Sequence, residues 1–162
     1  MQKTTLLFLY KHKEKKILLG MKKRSFGKGK WNGVGGKLNE GETIKEALMR
    51  EAIEEINVTI KESDLVQVAI LNFTFQNNPE WDQETHVFFS GKWNGDPSES
   101  EEMNPKWHSI NSLPFDQMWI DDPFWLPRVL EGKKIKASFL FNDTGDNIID
   151  MKVNEVANLS GE

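Results

Sequence analysis

A chain of 162 residues with a 38% hydrophobic and 10% aromatic share is long enough to bury one core, and one domain spanning residues 1–162 is expected. A formal net charge of -4 gives no counterion-release advantage on duplex DNA or RNA, so no nucleic-acid polymer is expected as partner. A small phosphorylated ligand held through a metal ion stays open, because the ion brings the positive charge. The absence of cysteine excludes disulfides, thiolate nucleophiles and cysteine-type zinc sites.

In chain order, Thr4 to Tyr10 predicts a buried strand. Its apolar run, Leu6 to Tyr10, is too short for a signal-peptide core or a membrane span, so a soluble cytoplasmic monomer without a membrane partner is expected. Lys11 to Lys16 is a turn and Ile17 to Met21 the returning strand. A glycine-rich loop from Ser25 to Gly33 leads into Val34-Gly35-Gly36-Lys37, and Gly41 closes a further turn. Thr43 to Ile56 predicts the clearest helix, with Thr43 and Glu46 at capping-box spacing. Asn57 falls where the chain turns left-handed, and Asn57→Gly is expected to be neutral or slightly stabilising there.

Val66, Val68 and Ile70 alternate in one phase and Leu71, Phe73 and Phe75 in the other, which predicts one long strand with a bulge. Thr85 to Trp93 is a further strand, Asn94 to Glu101 a polar loop, and a short strand lies near Trp107. Asp121-Asp122-Pro123 starts a helix that runs to Glu131 and stops at Gly132, with Pro127 inside it. Ile135 to Phe141 and Ile148 to Val153 form a hairpin across Asp143 to Asp146. Strands outnumber helices, which predicts an α/β (α+β) architecture with a mixed sheet packed between helices.

The helix from Thr43 carries the chemistry. At roughly 100° per residue, Glu51, Glu54 and Glu55 share an arc of about 100°, and Ile44, Ala47 and Leu48 flank it. Arg50 lies four residues before Glu54, at ion-pair spacing. Crowded, half-buried carboxylates call for a cation, and hard oxygen donors select Mg²⁺, with Mn²⁺ as second choice. A solvated acidic helix face is the plainer reading of such a helix taken alone.

The surrounding residues reverse that balance. Gly36, Glu42, Arg50, Glu51, Ala52, Glu54, Glu55 and Val58 match the box G-x5-E-x7-R-E-U-x-E-E-x-G-U, with U aliphatic, and the chain thereby resembles the Nudix hydrolases. Asn57 stands where the box has glycine. Gly20 to Arg24, Trp31-Asn32-Gly33, Glu101-Glu102-Met103, Leu113-Pro114-Phe115, Trp119 with Asp121-Asp122, and Trp125-Leu126-Pro127 narrow the resemblance. They are similar to the MutT-homologue branch that hydrolyses oxidised purine nucleoside triphosphates. Asn77 to Thr85 is the least similar stretch and carries Trp81 and Gln83 near a position usually apolar.

The resemblance implies a Nudix fold, an α/β/α sandwich, and roles for particular residues. Glu51, Glu54, Glu55, Glu102 and the Gly35 backbone would hold the metal and Arg50 would orient a carboxylate. Glu42 would close the loop onto the helix start. Lys22 would approach the triphosphate, and Val34, Gly35, Gly36 and Lys37 would also bind substrate. Thr5, Asn32, Trp119, Ile120, Asp121 and Asp122 would surround the base, with Phe26, Phe73, Phe75 and Met103 as apolar walls. Trp119 suits stacking on a purine, and Asn32 offers a donor and an acceptor. Guanine-type edges present donors to an ionised carboxylate, whereas an adenine-type edge needs a protonated one. Two adjacent buried aspartates supply both states. Without the resemblance, Asp121-Asp122-Pro123 reads equally as a helix cap, Phe73 and Phe75 as core, and Lys22 as one cation of a basic turn.

The activity implied is Mg²⁺-dependent hydrolysis of oxidised purine (deoxy)nucleoside triphosphates, such as 8-oxo-dGTP and 2-hydroxy-dATP, to monophosphate and pyrophosphate. Such an activity cleanses the nucleotide pool. The alternatives are a Nudix hydrolase of another nucleoside diphosphate derivative, against which the Trp119 to Asp122 segment argues, and a non-catalytic nucleotide-binding module. A binder need not keep so many mutually repelling carboxylates. How the oxidised position is read is not visible in the sequence.

Overall fold

The computed structural model describes residues 1–25 and 27–159; Phe26, expected as an apolar wall, lies outside the described residues. Among the described residues eight strands form a mixed sheet: β1 (Gln2–Lys11), β2 (Lys16–Lys22), β3 (Trp31–Asn32), β4 (Val66–Phe75), β5 (Gln83–Ser90), β6 (Met103–Ser109), β7 (Lys134–Phe141) and β8 (Ile148–Val156). The order is β3-β2-β1-β5-β4-β7-β8, with β6 paired to β2. β1 runs parallel to β5, and β4 parallel to β7; the other pairs are antiparallel.

β1 explains the layering. Side chains alternate across a strand, and a strand covered on both faces reads as a continuous apolar run. Leu6, Phe8 and Tyr10 join one core and Leu7 and Leu9 the other. Helix α1 (Ile44–Ile56) covers the Leu7 face with Leu48, Ala52 and Ile56. Helix α2 (Asp122–Leu130) covers the Leu6 face with Trp125, Leu126 and Val129. The result is an α/β/α sandwich. Among the described residues no helix is long and apolar enough to cross a membrane.

Local signals set the ends of α1. The Thr43 hydroxyl accepts from the Glu46 N–H at 3.1 Å, and the Glu46 carboxylate accepts from the Thr43 N–H at 2.9 Å. Asn57 ends the helix at φ 60° and ψ 38°, the left-handed conformation expected of it. Its side chain also does something not anticipated: Nδ2 donates to Ser98 Oγ at 2.8 Å, tying the helix end to the loop after β5.

Three boundaries differ from expectation. The bulge in β4 falls between Gln67 and Ala69, earlier than the phase change suggested, because Val68 and Ala69 are both buried. β5 ends at Ser90, whose hydroxyl donates to the Lys92 carbonyl in a turn, so Trp93 leaves the sheet and stacks on Trp107 at 5.6 Å. The strand near Trp107 is seven residues long and pairs with β2 alone, an edge position that tolerates Pro105.

Candidate active site

The loop before α1 is built against β1. Val34 and Leu7 exchange backbone hydrogen bonds at 2.6 and 2.8 Å, and the Thr5 N–H donates to the Gly36 carbonyl at 2.9 Å. The approach leaves no room for side chains. A Cβ on Gly35 would collide with the Thr5 carbonyl, and one on Gly36 would stand 2.8 Å from Glu51 Oε1. The loop thereby aims the Gly35 N–H at Glu55, whose Oε1 accepts it at 2.9 Å.

Glu55 is buried at 2% exposure, and desolvation pushes its pKa up to about 8 against the pull of the Gly35 N–H. Neighbouring Glu51 and Glu102 add like-charge repulsion. Burial also raises Glu51, opposed by Arg50. Arg50 is the clasp of this end. Its guanidinium donates to Glu42 at 2.7 and 2.9 Å, to Glu51 at 2.9 Å, to Glu54 at 3.2 Å and to the Lys37 carbonyl at 3.1 Å. Glu42 is held down at about 2 by that guanidinium and by the Asn39 N–H, which it accepts at 2.7 Å. Glu42 thus ties the loop to the helix, the structural part expected of it.

The donor set suits a hard divalent cation: acidic oxygens on one helix, two of them raised in pKa by desolvation and crowding, beside a glycine backbone. Among the described residues no three His, Cys, Asp or Glu side chains converge as a finished metal cage. The reason is geometric. Arg50 draws Glu51 and Glu54 to itself, the Gly35 N–H fixes Glu55, and Glu102, in the loop before β6, faces Arg24 at 3.5 Å.

A cavity of about 250 Å³ runs from this end into the α2-side core. Glu55, Gly35, Gly36, Lys37 and Lys22 line one part of it, and Asn32, Trp119, Asp121 and Asp122 line another. Asp121 occupies the N-cap position of α2 without making a side-chain cap bond. Its Oδ2 instead accepts the Trp125 indole N–H at 2.8 Å. Asp122 is 3% exposed, and among the described residues its Oδ2 has no hydrogen-bond partner. Burial raises both carboxyls, and for Asp122 the charge of Asp121 adds to the rise, so the two titrate as a pair. Lys30 Nζ lies 5.3 Å from the Trp119 ring centre and its charge partly offsets the rise at Asp122.

The expected site residues are thus divided. Thr5, Phe73, Phe75 and Met103 join those already named on the cavity wall. Phe73 and Phe75 also stack on Phe141 at 5.8 and 5.1 Å, so they are core and wall at once. Val34 does not face the cavity: its side chain is 1% exposed in the α1-side core, and only its backbone serves β1. Ile120 packs against the opposite core and is absent from the lining. Arg50, Glu51, Glu54 and Glu102 also stand off the lining, Glu51 next to Gly36. Thr4, Lys30, Gln83, Thr85 and Trp125 line the cavity without having been assigned to it. For Thr4 and Thr85 the available signal was a polar residue at an inward strand position.

Fold, glycine-lined loop and acidic helix together define a domain for phosphate-bearing substrates, and comparison with known proteins gives the family. The NUDIX domain family model matches residues 2–129, and the chain belongs to that family. It is 42% identical over 144 residues to the Danio rerio oxidized purine nucleoside triphosphate hydrolase, covering 89% of this chain and 90% of that one. The Mus musculus protein of the same description is 42% identical over 141 residues, covering 87% and 88%. Among solved structures, a MutT protein from Bacillus halodurans superposes with a TM-score of 0.81 over 95% of this chain and 98% of its own, at 21% identity, a likeness of fold.

Proposed function

We propose that this protein hydrolyses oxidised purine (deoxy)nucleoside triphosphates, such as 8-oxo-dGTP and 2-hydroxy-dATP, to the monophosphate and pyrophosphate, with Mg²⁺ as cofactor. It acts as a single-domain cytoplasmic monomer on a small nucleotide, not on a nucleic-acid polymer or at a membrane. The carrying observation is one cavity lined by Glu55 with the Gly35-Gly36 loop and also by the Trp119, Asp121 and Asp122 group. The names of the relatives at 42% identity support the same reading.

In this reading Glu51, Glu54, Glu55, Glu102 and the Gly35 backbone hold the metal. When bound, the ion neutralises phosphate charge and acidifies water. Arg50 positions Glu51 and Glu54, and Lys22 adds positive charge beside Glu55. Gly36 and Lys37 keep the phosphate path open along β1. The base lies against Trp119, with Asn32 as mixed donor and acceptor. Ionised Asp121 accepts from purine donors, and Asp122 in its protonated form donates to a ring acceptor. Water attacks one phosphorus of the α–β phosphoanhydride and gives up a proton to solvent, the bond to the bridging oxygen breaks, and that oxygen leaves on the other fragment, giving monophosphate and pyrophosphate. Incubation with 8-oxo-dGTP and Mg²⁺, with products separated by anion exchange, tests the reading. It requires 8-oxo-dGMP and pyrophosphate; release of orthophosphate with 8-oxo-dGDP contradicts it.

A further inference from the structure

The walls of the cavity change character at one end of the sheet. β1 and β5 run parallel in register, with Thr4 beside Thr85 and Gln2 beside Gln83. Along one face, Tyr10, Phe8 and Leu6 on β1 and Phe89 and Val87 on β5 fill the α2-side core. The next positions on that same face are Thr4, Thr85 and Gln83, and all three line the cavity. An apolar wall turns polar where the cavity begins. Buried polar groups are costly unless bonded, so their arrangement is informative.

Thr4 and Thr85, exposed by 7% and 6%, join hydroxyls at 2.8 Å, and Thr4 Oγ1 donates to Gln83 Oε1 at 3.2 Å. A threonine hydroxyl has one proton. With that of Thr4 directed to Gln83, the shorter bond runs from Thr85 to Thr4. Gln83 Nε2 faces the Trp81 carbonyl, which can only accept, and this leaves Oε1 to take the Thr4 proton. The Nε2 group carries two N–H donors, and among the described residues it makes one long contact, 3.4 Å to the Trp81 carbonyl. Gln83 therefore presents an oriented N–H donor, together with the second lone pair of Oε1.

We infer that Gln83 is a specificity-determining residue whose carboxamide, oriented by Thr4 and Thr85, bonds the imidazole edge of the base and separates an oxidised guanine from its parent. This rests on the reading of the cavity as a purine site. Oxidised guanine carries a C8 carbonyl acceptor beside an N7–H donor. A carboxamide matches that pair with two hydrogen bonds. The parent base shows a bare C8–H and an N7 acceptor there, which the amide meets with one bond at most. The N1 and N2 donor edge lies across the ring system, free for Asp121 and Asp122. Gln83 touches the substrate; Thr4 and Thr85 are positioning residues.

The test is kcat/KM for 8-oxo-dGTP and dGTP with Mg²⁺ in wild type, Gln83→Leu, Gln83→Met and Thr85→Val, alongside thermal melts. Gln83→Leu lowers the value for 8-oxo-dGTP about tenfold and that for dGTP less than about threefold, so the preference narrows. Thr85→Val shifts the ratio in the same direction by less. Gln83→Met keeps the unbranched length and gives the reading if the leucine variant does not fold. A wild type that prefers 8-oxo-dGTP, with a ratio unmoved in a folded Gln83 variant, overturns this inference alone. A wild type inactive on both nucleotides overturns the purine reading and this inference with it.

Discussion

Asp121 and Trp125 are joined across one turn of α2, the indole N–H donating to Asp121 Oδ2 at 2.8 Å in a fully buried contact. That bond stands in place of the cap bond that the plainer reading of Asp-Asp-Pro would require, and Asp121 lines the cavity. An asparagine at 121 still accepts from Trp125 through its Oδ1 but faces a purine donor edge with an N–H. Asp121→Asn is therefore expected to lower kcat/KM for 8-oxo-dGTP by roughly 2–4 kcal/mol in transition-state terms while leaving the Mg²⁺ dependence unchanged. A variant whose losses are equal on all substrates and track its melting temperature removes the base-reading role.

The buried pair also sets a pH dependence. Desolvation and the charge of Asp121 hold the folded-state pKa of Asp122 well above its unfolded value. Between the ordinary carboxylate value, about 4, and that raised value, the folded state binds more protons than the unfolded one, so stability falls as pH rises. The stabilisation is complete below the unfolded pKa and lost as pH rises through the folded one. Asp122→Asn, which keeps a neutral group of the same shape, should flatten this slope. Melting temperatures of both proteins from pH 4 upward check it; parallel curves contradict it.

The end of α1 gives a stability prediction. Glycine at 57 is free of left-handed strain but loses the bond to Ser98, and alanine keeps the strain and loses the bond. Asn57→Gly should lie within about 0.5 kcal/mol of wild type, and Asn57→Ala should cost about 1–2 kcal/mol. Denaturant titration of the two variants measures both; equal losses would show that the Ser98 bond, not the backbone, sets the energy.

Arg50 closes the loop onto the helix through a two-pronged bond to Glu42, a geometry that lysine lacks. Arg50→Lys should lower the melting temperature by about 2–6 °C. Hydrogen exchange at the Gly35 and Gly36 amides should rise with it. An unchanged melt would show that Glu42 and the loop hold together without the fork.

What was legible in the sequence was what local chemistry decides. The Thr43 and Glu46 cap and the left turn at Asn57 lie within one short segment, and each took its expected form. The bulge in β4 was visible as a phase change but misplaced, because Val68 and Ala69 are both buried and the shifted phase already begins at Ala69. The polar wall was not legible, because Thr4 meets Gln83 and Thr85 only through the parallel pairing of β1 and β5, 79 and 81 residues apart. Val34 follows a related rule: the close approach of its loop to β1 is made by its backbone, while its side chain serves the other core.

Glu55→Gln isolates the acidic end. Glutamine keeps an oxygen for the Gly35 N–H, so the melting temperature should stay within about 3 °C of wild type, while kcat at saturating Mg²⁺ should fall about a hundredfold or more. Near wild-type turnover would remove Glu55 from the metal site.

If one cavity joins a metal-dependent phosphate end to an oxidised-purine end, a substrate panel reads both at once. With Mg²⁺ and wild-type protein, kcat/KM is to be measured for 8-oxo-dGTP, 2-hydroxy-dATP, dGTP and ADP-ribose. Both oxidised purine triphosphates should exceed dGTP, and ADP-ribose should be turned over poorly; faster turnover of ADP-ribose, or no preference for the oxidised bases, would contradict a shared oxidised-purine and phosphate cavity.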